Sequence, residues 1–193
     1  GEDIFSGKTK KDAYSRISNQ NFRNLEEGLC ILEEGEATQV FDSGMSAIKV
    51  LLQSILKSGD EIIAHNSLYG GTTLLLKDLV NFRIETRFVD ARQTDNVLLV
   101  LTDRTKLIFI ETPSNPTLDI CDFQEIKERL ITAGRKDVLV AVDNTFATPC
   151  NQKPLAKGAD VVIESLTKYI NGFGNATGGS ITTSQEIMDR IWK

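Results

Sequence analysis

The sequence predicts an α/β protein with a mostly parallel sheet flanked by helices. Three observations carry that prediction. Apolar runs of strand length alternate with segments of helical periodicity along the chain. Runs such as KLIFIE (106–111), DVLVAVD (137–143) and DVVIE (160–164) are apolar through their centres, the mark of strands covered on both faces. Polar residues follow those runs directly, where ligands sit in open α/β sheets.

Taken in order, residues 22–35 carry apolar side chains at helical spacing, and 44–58 do so more strongly. DEIIA (60–64) reads as a short strand, followed by a Gly-marked turn at LYGG and a helix over 72–81. IETRFVD (84–90) and KLIFIE (106–111) are further strands. Asp122 with Glu125 resembles a capping box and starts a helix over 122–134, which stops near Gly134. The buried strands 137–143 and 160–164 follow, then GGSIT (178–182) as one more, and a helix capped by Thr183 with Glu186. Helices between doubly covered strands imply parallel pairing.

Composition bounds the function. The chain has 193 residues, a net charge of -5 and 40% hydrophobic content, so it lacks the basic footprint of nucleic-acid or anionic-membrane binding. No apolar run approaches the roughly 20 residues of a membrane helix. Cys30, Cys121 and Cys150 are scattered and His65 is the only histidine, too few ligands for a Cys/His zinc site. Small buried or half-buried thiols in a reducing compartment are expected, which favours the cytoplasm. His65 reads as a loop residue beside its strand, LEEGLCILEEGE as a solvated helix face, and Tyr169 and Trp192 as packing residues.

The strand ends offer Glu111, Asn115, Asp143, Asn144, Thr145, Ser165, Thr167 and Lys168. Three chemistries compete for them. Ser165-Leu-Thr-Lys168 fits an S-x-x-K nucleophile, but Ser54–Lys57 meets the same pattern on a predicted helix, and the accompanying Ser-Asp-Asn and Lys-Thr-Gly are absent. Nucleotide loops of the G-x-G-x-x-G or Walker type are absent too. A pyridoxal phosphate site asks for a lysine, a carboxylate for the pyridine nitrogen, phosphate donors at a helix start, and an aromatic cover. Lys168, Asp143, Ser165 with Thr167, the helix opening at Ser43-Gly44-Met45, and Tyr69 meet those four needs. Singly, each has an ordinary structural reading, with Asp143 as a cap, Lys168 as a solvated end and Tyr69 as a half-buried ring.

FDSGMSAI (41–48), SLYGGT (67–72), ETPSNPTLDICD (111–122), VDNTFATP (142–149) and KPLAKGADVVIESLTKYINGFG (153–174) occur in one order. In that order the chain, from about Tyr14 onwards, resembles the Cys/Met-metabolism pyridoxal-phosphate enzymes. That family includes cystathionine γ-synthase, cystathionine γ- and β-lyases, methionine γ-lyase and O-acetylhomoserine sulfhydrylase. The resemblance implies a fold-type I large domain at 22–193, preceded by an arm at 1–21 that serves a neighbouring subunit. It implies that Lys168 forms the Schiff base and shuttles protons, that Asp143 pairs with the pyridinium nitrogen, and that Tyr69 stacks on the ring. Gly44, Met45, Ser165 and Thr167 would hold the phosphate. Tyr14 and Arg16 would reach the phosphate of a neighbouring subunit. Glu111 and Asn115 would belong to the cofactor-side network, with Asn115 near the ring hydroxyl.

The resemblance further implies a small amino-acid substrate and a homodimer or homotetramer with shared sites. The expected reaction is γ-elimination or γ-replacement in transsulfuration, most like cystathionine γ-synthase or γ-lyase. Gly71, where methionine γ-lyases often carry Cys, tilts the reading that way. The chain departs from the family at Asn19-Gln20-Asn21 and at Gly172-Phe173. Family members are also longer, and the C-terminal domain that supplies an Arg for the substrate carboxylate has no counterpart among these residues. A catalytically incompetent scaffold is the competing expectation.

Overall fold

The structure, a computed structural model, describes residues 19–191. Seven strands form one sheet: β1 (Ala37–Phe41), β2 (Glu61–His65), β3 (Glu85–Val89), β4 (Thr105–Glu111), β5 (Leu139–Asp143), β6 (Val161–Glu164) and β7 (Gly179–Thr183). Their order across the sheet is β1-β7-β6-β5-β4-β2-β3. The pairs from β6 to β3 are parallel, whereas β7 runs antiparallel to both of its neighbours.

Among the described residues, seven α-helices alternate with the strands. They are α1 (Gln20–Glu33), α2 (Gly44–Ile55), α3 (Gly70–Asp78), α4 (Thr94–Leu99), α5 (Phe123–Thr132), α6 (Thr148–Asn151) and α7 (Gln185–Ile191). Because β-strand side chains alternate, neighbouring residues of β4 enter different cores. Leu107 and Phe109 pack with Leu51 and Leu52 of α2 on one face. Ile108 and Ile110 pack with Ile126 and Leu130 of α5 on the other. All eight are buried, each contributing about 1.5–3 kcal/mol of hydrophobic stabilisation. This double coverage is why the strands read as uninterrupted apolar runs.

Caps set several helix starts. The Ser43 hydroxyl accepts from the Ser46 N–H at 3.1 Å, and the Asp122 carboxylate accepts from the Glu125 N–H at 2.9 Å. The Glu125 side chain does not close a capping box; it accepts instead from the Thr94 hydroxyl of α4. The last helix also differs from expectation. Ser184 accepts from the Ile187 N–H at 3.4 Å, while the Thr183 hydroxyl donates to the Asp160 carbonyl at 2.6 Å. Thr183 is therefore the last strand residue and not the cap.

Strand β1 and helix α4 escape the sequence reading. ATQVF is a half-buried edge strand whose partner, β7, lies far along the chain. Helix α4 has only six residues, too few for periodicity to show. Helix α1 begins at Gln20, so residues 20 and 21 of the expected arm are helical; residues 1–18 lie outside the described residues.

Candidate active site

Neighbouring parallel strands bring their carboxyl ends to one line. Glu111 at the end of β4 stands opposite Asp143 at the end of β5, and Asp143 stands opposite Ile163 of β6. The turn after β6 then carries Ser165, Thr167 and Lys168 over the same edge. These residues line one pocket with Gly44 and Met45 of α2, Tyr69 at the head of α3, and Asn115. Eight of the ten site residues expected from sequence are thus brought together. Tyr14 and Arg16 lie outside the described residues.

Asp143 is buried, and its Oδ1 accepts from both the N–H of Thr145 (3.1 Å) and its hydroxyl (2.6 Å). The Thr145 hydroxyl in turn accepts from the Ser165 N–H at 2.8 Å. One threonine therefore couples the end of β5 to the turn after β6. Among the described residues no donor reaches Asp143 Oδ2, which leaves that oxygen for a cation or an N–H in the pocket. Burial pushes the Asp143 carboxyl above the ordinary aspartate range, against the two Thr145 bonds.

Glu111 accepts from two backbone N–H groups, Tyr69 at 2.8 Å and Asn115 at 2.7 Å. Burial first, then the nearby Asp143 charge, raises its carboxyl to about 7. From sequence Glu111 was legible as a strand end and, by family resemblance, as part of the cofactor-side network. Its tie between the Tyr69 turn and the Asn115 loop needs the fold, because Tyr69 lies 42 residues before Glu111. The Tyr69 ring is about half exposed, and a Cβ at Gly71 would meet its Cε1 at 2.6 Å, so glycine there leaves the ring its room.

The start of α2 has the geometry of an anion cradle. The Ser43 hydroxyl and carbonyl occupy the N–H groups of Ser46 and Ala47, while those of Gly44 and Met45 have no hydrogen bond among the described residues. A Cβ at Gly44 would lie 2.8 Å from Ser165 Cβ, so only glycine lets the helix start and the Ser165 turn approach this closely. The Thr167 hydroxyl is turned to Gly178, donating to its carbonyl at 3.2 Å and accepting from its N–H at 3.1 Å. Phe146, which the sequence reading passed over, also lines the pocket. Its ring meets that of exposed Tyr169 edge-on at 5.8 Å, so Tyr169 packs at the rim.

Outside the pocket the structure corrects three expectations. His65 is the last residue of β2 and wholly buried: its Nδ1 accepts from the Ala91 N–H at 3.2 Å and its Nε2 lies 3.3 Å from Asp119. It is a structural tie and not a loop residue, because the strand runs one residue further than its apolar run. Glu33 is buried at the end of α1, within the acidic run expected to be solvated. Cys150 is exposed, while all three thiols are free. In the second S-x-x-K match, Ser54 on α2 donates to its own helix at the Val50 carbonyl, an ordinary helical role.

The family profile described as Cys/Met metabolism PLP-dependent enzyme matches residues 1–192. The chain belongs to that family. It is 42% identical over 179 residues to an L-methionine gamma-lyase of Fusobacterium nucleatum subsp. polymorphum, covering 92% of this chain and 45% of that protein. It is 41% identical to a cystathionine gamma-synthase of Mycobacterium leprae, covering 93% of this chain and 46% of the relative. The solved structure of a putative O-acetylhomoserine (thiol)-lyase from Campylobacter jejuni superposes with a TM-score of 0.88 at 34% identity. That match covers 98% of this chain and 46% of the other, which carries a pyridoxyl-lysine monophosphate. The chain spans about half the length of these relatives.

The pocket fits the family's cofactor. An acceptor oxygen on Asp143, two unengaged N–H groups at a helix start, and a lysine amine are the donor set that a pyridinium, a phosphate and an aldehyde require. Lys168 is held in its turn by its own N–H to the Ser165 carbonyl (3.0 Å) and by the Gly172 N–H to its carbonyl (2.9 Å). Gly172 has φ 77°, which only glycine adopts freely.

Proposed function

We propose that this chain is the cofactor-holding part of an enzyme that eliminates or replaces the γ-substituent of a homoserine- or homocysteine-derived amino acid. The reading is nearest in kind to cystathionine γ-synthase and γ-lyase, with methionine γ-lyase and O-acetylhomoserine sulfhydrylase as its alternatives. Identities of 42% to a methionine γ-lyase and 41% to a cystathionine γ-synthase do not separate these members. The observation that carries the reading is the meeting of Asp143 and Lys168 in one pocket, from the ends of adjacent strands.

When bound, pyridoxal phosphate supplies an electron sink for charge developing on the substrate. In this reading Asp143 Oδ2 accepts from the pyridine N–H, and Thr145 keeps the carboxylate aimed there. The N–H groups of Gly44 and Met45, with the Ser165 hydroxyl, would bind the phosphate, and the Thr167 hydroxyl would join them on turning from the Gly178 carbonyl. Tyr69 covers one face of the ring and excludes water, and Asn115 meets the ring hydroxyl. The Lys168 amine would hold the cofactor's aldehyde carbon and would take and return protons at the substrate Cα and Cβ. Tyr14 and Arg16 are assigned by family resemblance to the phosphate of a neighbouring protomer.

That assignment makes the functional unit a homodimer or homotetramer. Exposed Leu118, Ile120 and Phe173 support an assembled state. Three free thiols support a reducing, cytoplasmic setting. Among the described residues no helix is long and apolar enough to cross a membrane.

The deciding experiment is absorbance after adding pyridoxal phosphate to the complete protein. A visible band, bleached by borohydride and absent in Lys168→Ala, is expected. Protein that stays colourless would overturn the reading in favour of a scaffold. Assays with cystathionine, methionine and O-acetylhomoserine then choose among the members.

A further inference from the structure

Beneath the pocket, the fold buries two carboxylic acids that the reading above does not use. Glu33 closes α1 and Glu164 ends β6, and each is only 1% exposed. Asn144, the residue after Asp143, donates through Nδ2 to Glu33 Oε1 at 3.4 Å and to the Gln152 carbonyl at 3.0 Å. Gln152 returns a bond to Asn144 Oδ1 at 2.9 Å and another to the Thr112 carbonyl at 3.1 Å. Glu164 immediately precedes Ser165. The acids therefore flank the scaffold of both strand ends that form the site.

Three of the four carboxyl oxygens, Glu33 Oε2 and both of Glu164, are buried without a partner. An ionised carboxylate only accepts, so two facing carboxylates offer each other no donor. Burying two uncompensated charges side by side costs several kcal/mol. One proton removes both problems, because an acid O–H is the missing donor and neutralises one charge. The surrounding groups point the same way. Burial raises both carboxyls; Glu164, pressed further by Glu33 and by the Asp143 charge, is raised to about 10. Glu33, though also raised by burial, is held lower by neighbouring Glu164, by the bond it accepts from Asn144 and by Lys153, which is itself ion-paired to Glu34.

We propose that Glu33 and Glu164 share one proton, carried by Glu164 and donated to Glu33, and that this pair positions Asp143 through Asn144. The shared proton limits the pair to one negative charge. Asp143 is then the carboxylate that ionises toward the pocket, as the proposed function requires. A doubly charged pair would raise the energy of ionised Asp143 and pull Asn144 from the end of β5.

The test uses the complete protein and begins without cofactor. At pH 8 the infrared carbonyl stretch of a buried carboxylic acid is expected in the wild type and lost in Glu164→Gln. Glu33→Gln removes the accepting carboxylate, so the same band remains but disappears at a pH at least one unit lower, a tenfold change in proton concentration. Identical spectra for wild type and Glu164→Gln overturn the shared proton. In case Glu164→Gln does not fold, the midpoint in Glu33→Gln decides alone, and an unchanged midpoint is a failure.

The positioning role is read separately, with cofactor bound. Glu164→Gln is expected to shift the pH at which the visible band changes, whereas a merely structural role lowers thermal stability and leaves that profile in place. An unshifted profile overturns the positioning role. Failure to bind cofactor at all strikes the proposed function, while the infrared result still stands or falls by itself.

Discussion

Glu111 and Asp143 stand opposite each other at the carboxyl ends of the neighbouring parallel strands β4 and β5. Register alone puts two buried acids side by side, and their environments push them apart in role. Asp143 is anchored by Thr145 on one oxygen and lines the pocket. Glu111 spends both oxygens on backbone N–H groups that fix Tyr69 and Asn115. One acid keeps an oxygen open to the pocket, and the other shapes the wall around it.

Glu111 predicts a pH dependence. Its folded-state carboxyl, raised to about 7, holds a proton that the unfolded chain releases near 4.5. The folded state thus binds more protons between those values, and its stability falls as pH rises from 4.5 to 7. Glu111→Gln should flatten that part of a Tm-against-pH curve. It should also loosen Tyr69, because an amide offers one carbonyl acceptor where the carboxylate offers two. An unchanged slope would count against the burial argument.

Asp143→Asn should separate function from stability. The amide oxygen still accepts from Thr145, while the buried acid is gone. The cofactor-free Tm should therefore hold or rise by about 2–4 °C, the equivalent of about 1 kcal/mol. On the role proposed for Asp143, activity of the complete enzyme should fall by about 10²–10³-fold with loss of its charge. Wild-type turnover in this variant is the result that refutes the assignment.

Two glycines should respond in opposite directions. A Cβ at Gly179 would lie 2.2 Å from the Ser43 carbonyl oxygen, at the turn that builds the anion cradle. Gly179→Ala should destabilise by about 1–3 kcal/mol and weaken phosphate binding. Gly28 lies on an exposed face of α1 with nothing within 4 Å of an added Cβ. Gly28→Ala should stabilise by about 0.5–1 kcal/mol, readable by urea denaturation.

His65→Ala should behave as a core lesion. It leaves the Ala91 N–H and the Asp119 carboxylate without their buried partner, at about 2–4 kcal/mol. The visible cofactor band should persist at temperatures below the lowered Tm. Loss of the band without loss of stability would instead give His65 a part in the site.

Much of this molecule was legible because its signals are local. Apolar runs at 106–111 and 160–164 become β4 and β6, since burial on both faces demands hydrophobicity at every position. The Ser43 cap sits where side-chain chemistry requires a helix to start. Strand β1 escaped because an edge strand is specified by its partner, and its partner β7 is distant in sequence. Glu33 escaped for a related reason. An acidic run has a charged face in any isolated helix, and only docking of α1 decides which glutamate turns inward.

The sequence by itself determined the alternation of strands and helices, the family, and the residue types at the strand ends. Those follow from periodicity, caps and motif order, all of which act over short spans. Tertiary structure alone decided which acids meet. Parallel register sets Asp143 beside Glu111, and helix docking sets Glu33 against Glu164. Carboxyl ionisation depends on dielectric and on charges a few ångströms away, and neither quantity exists until the chain has folded around it.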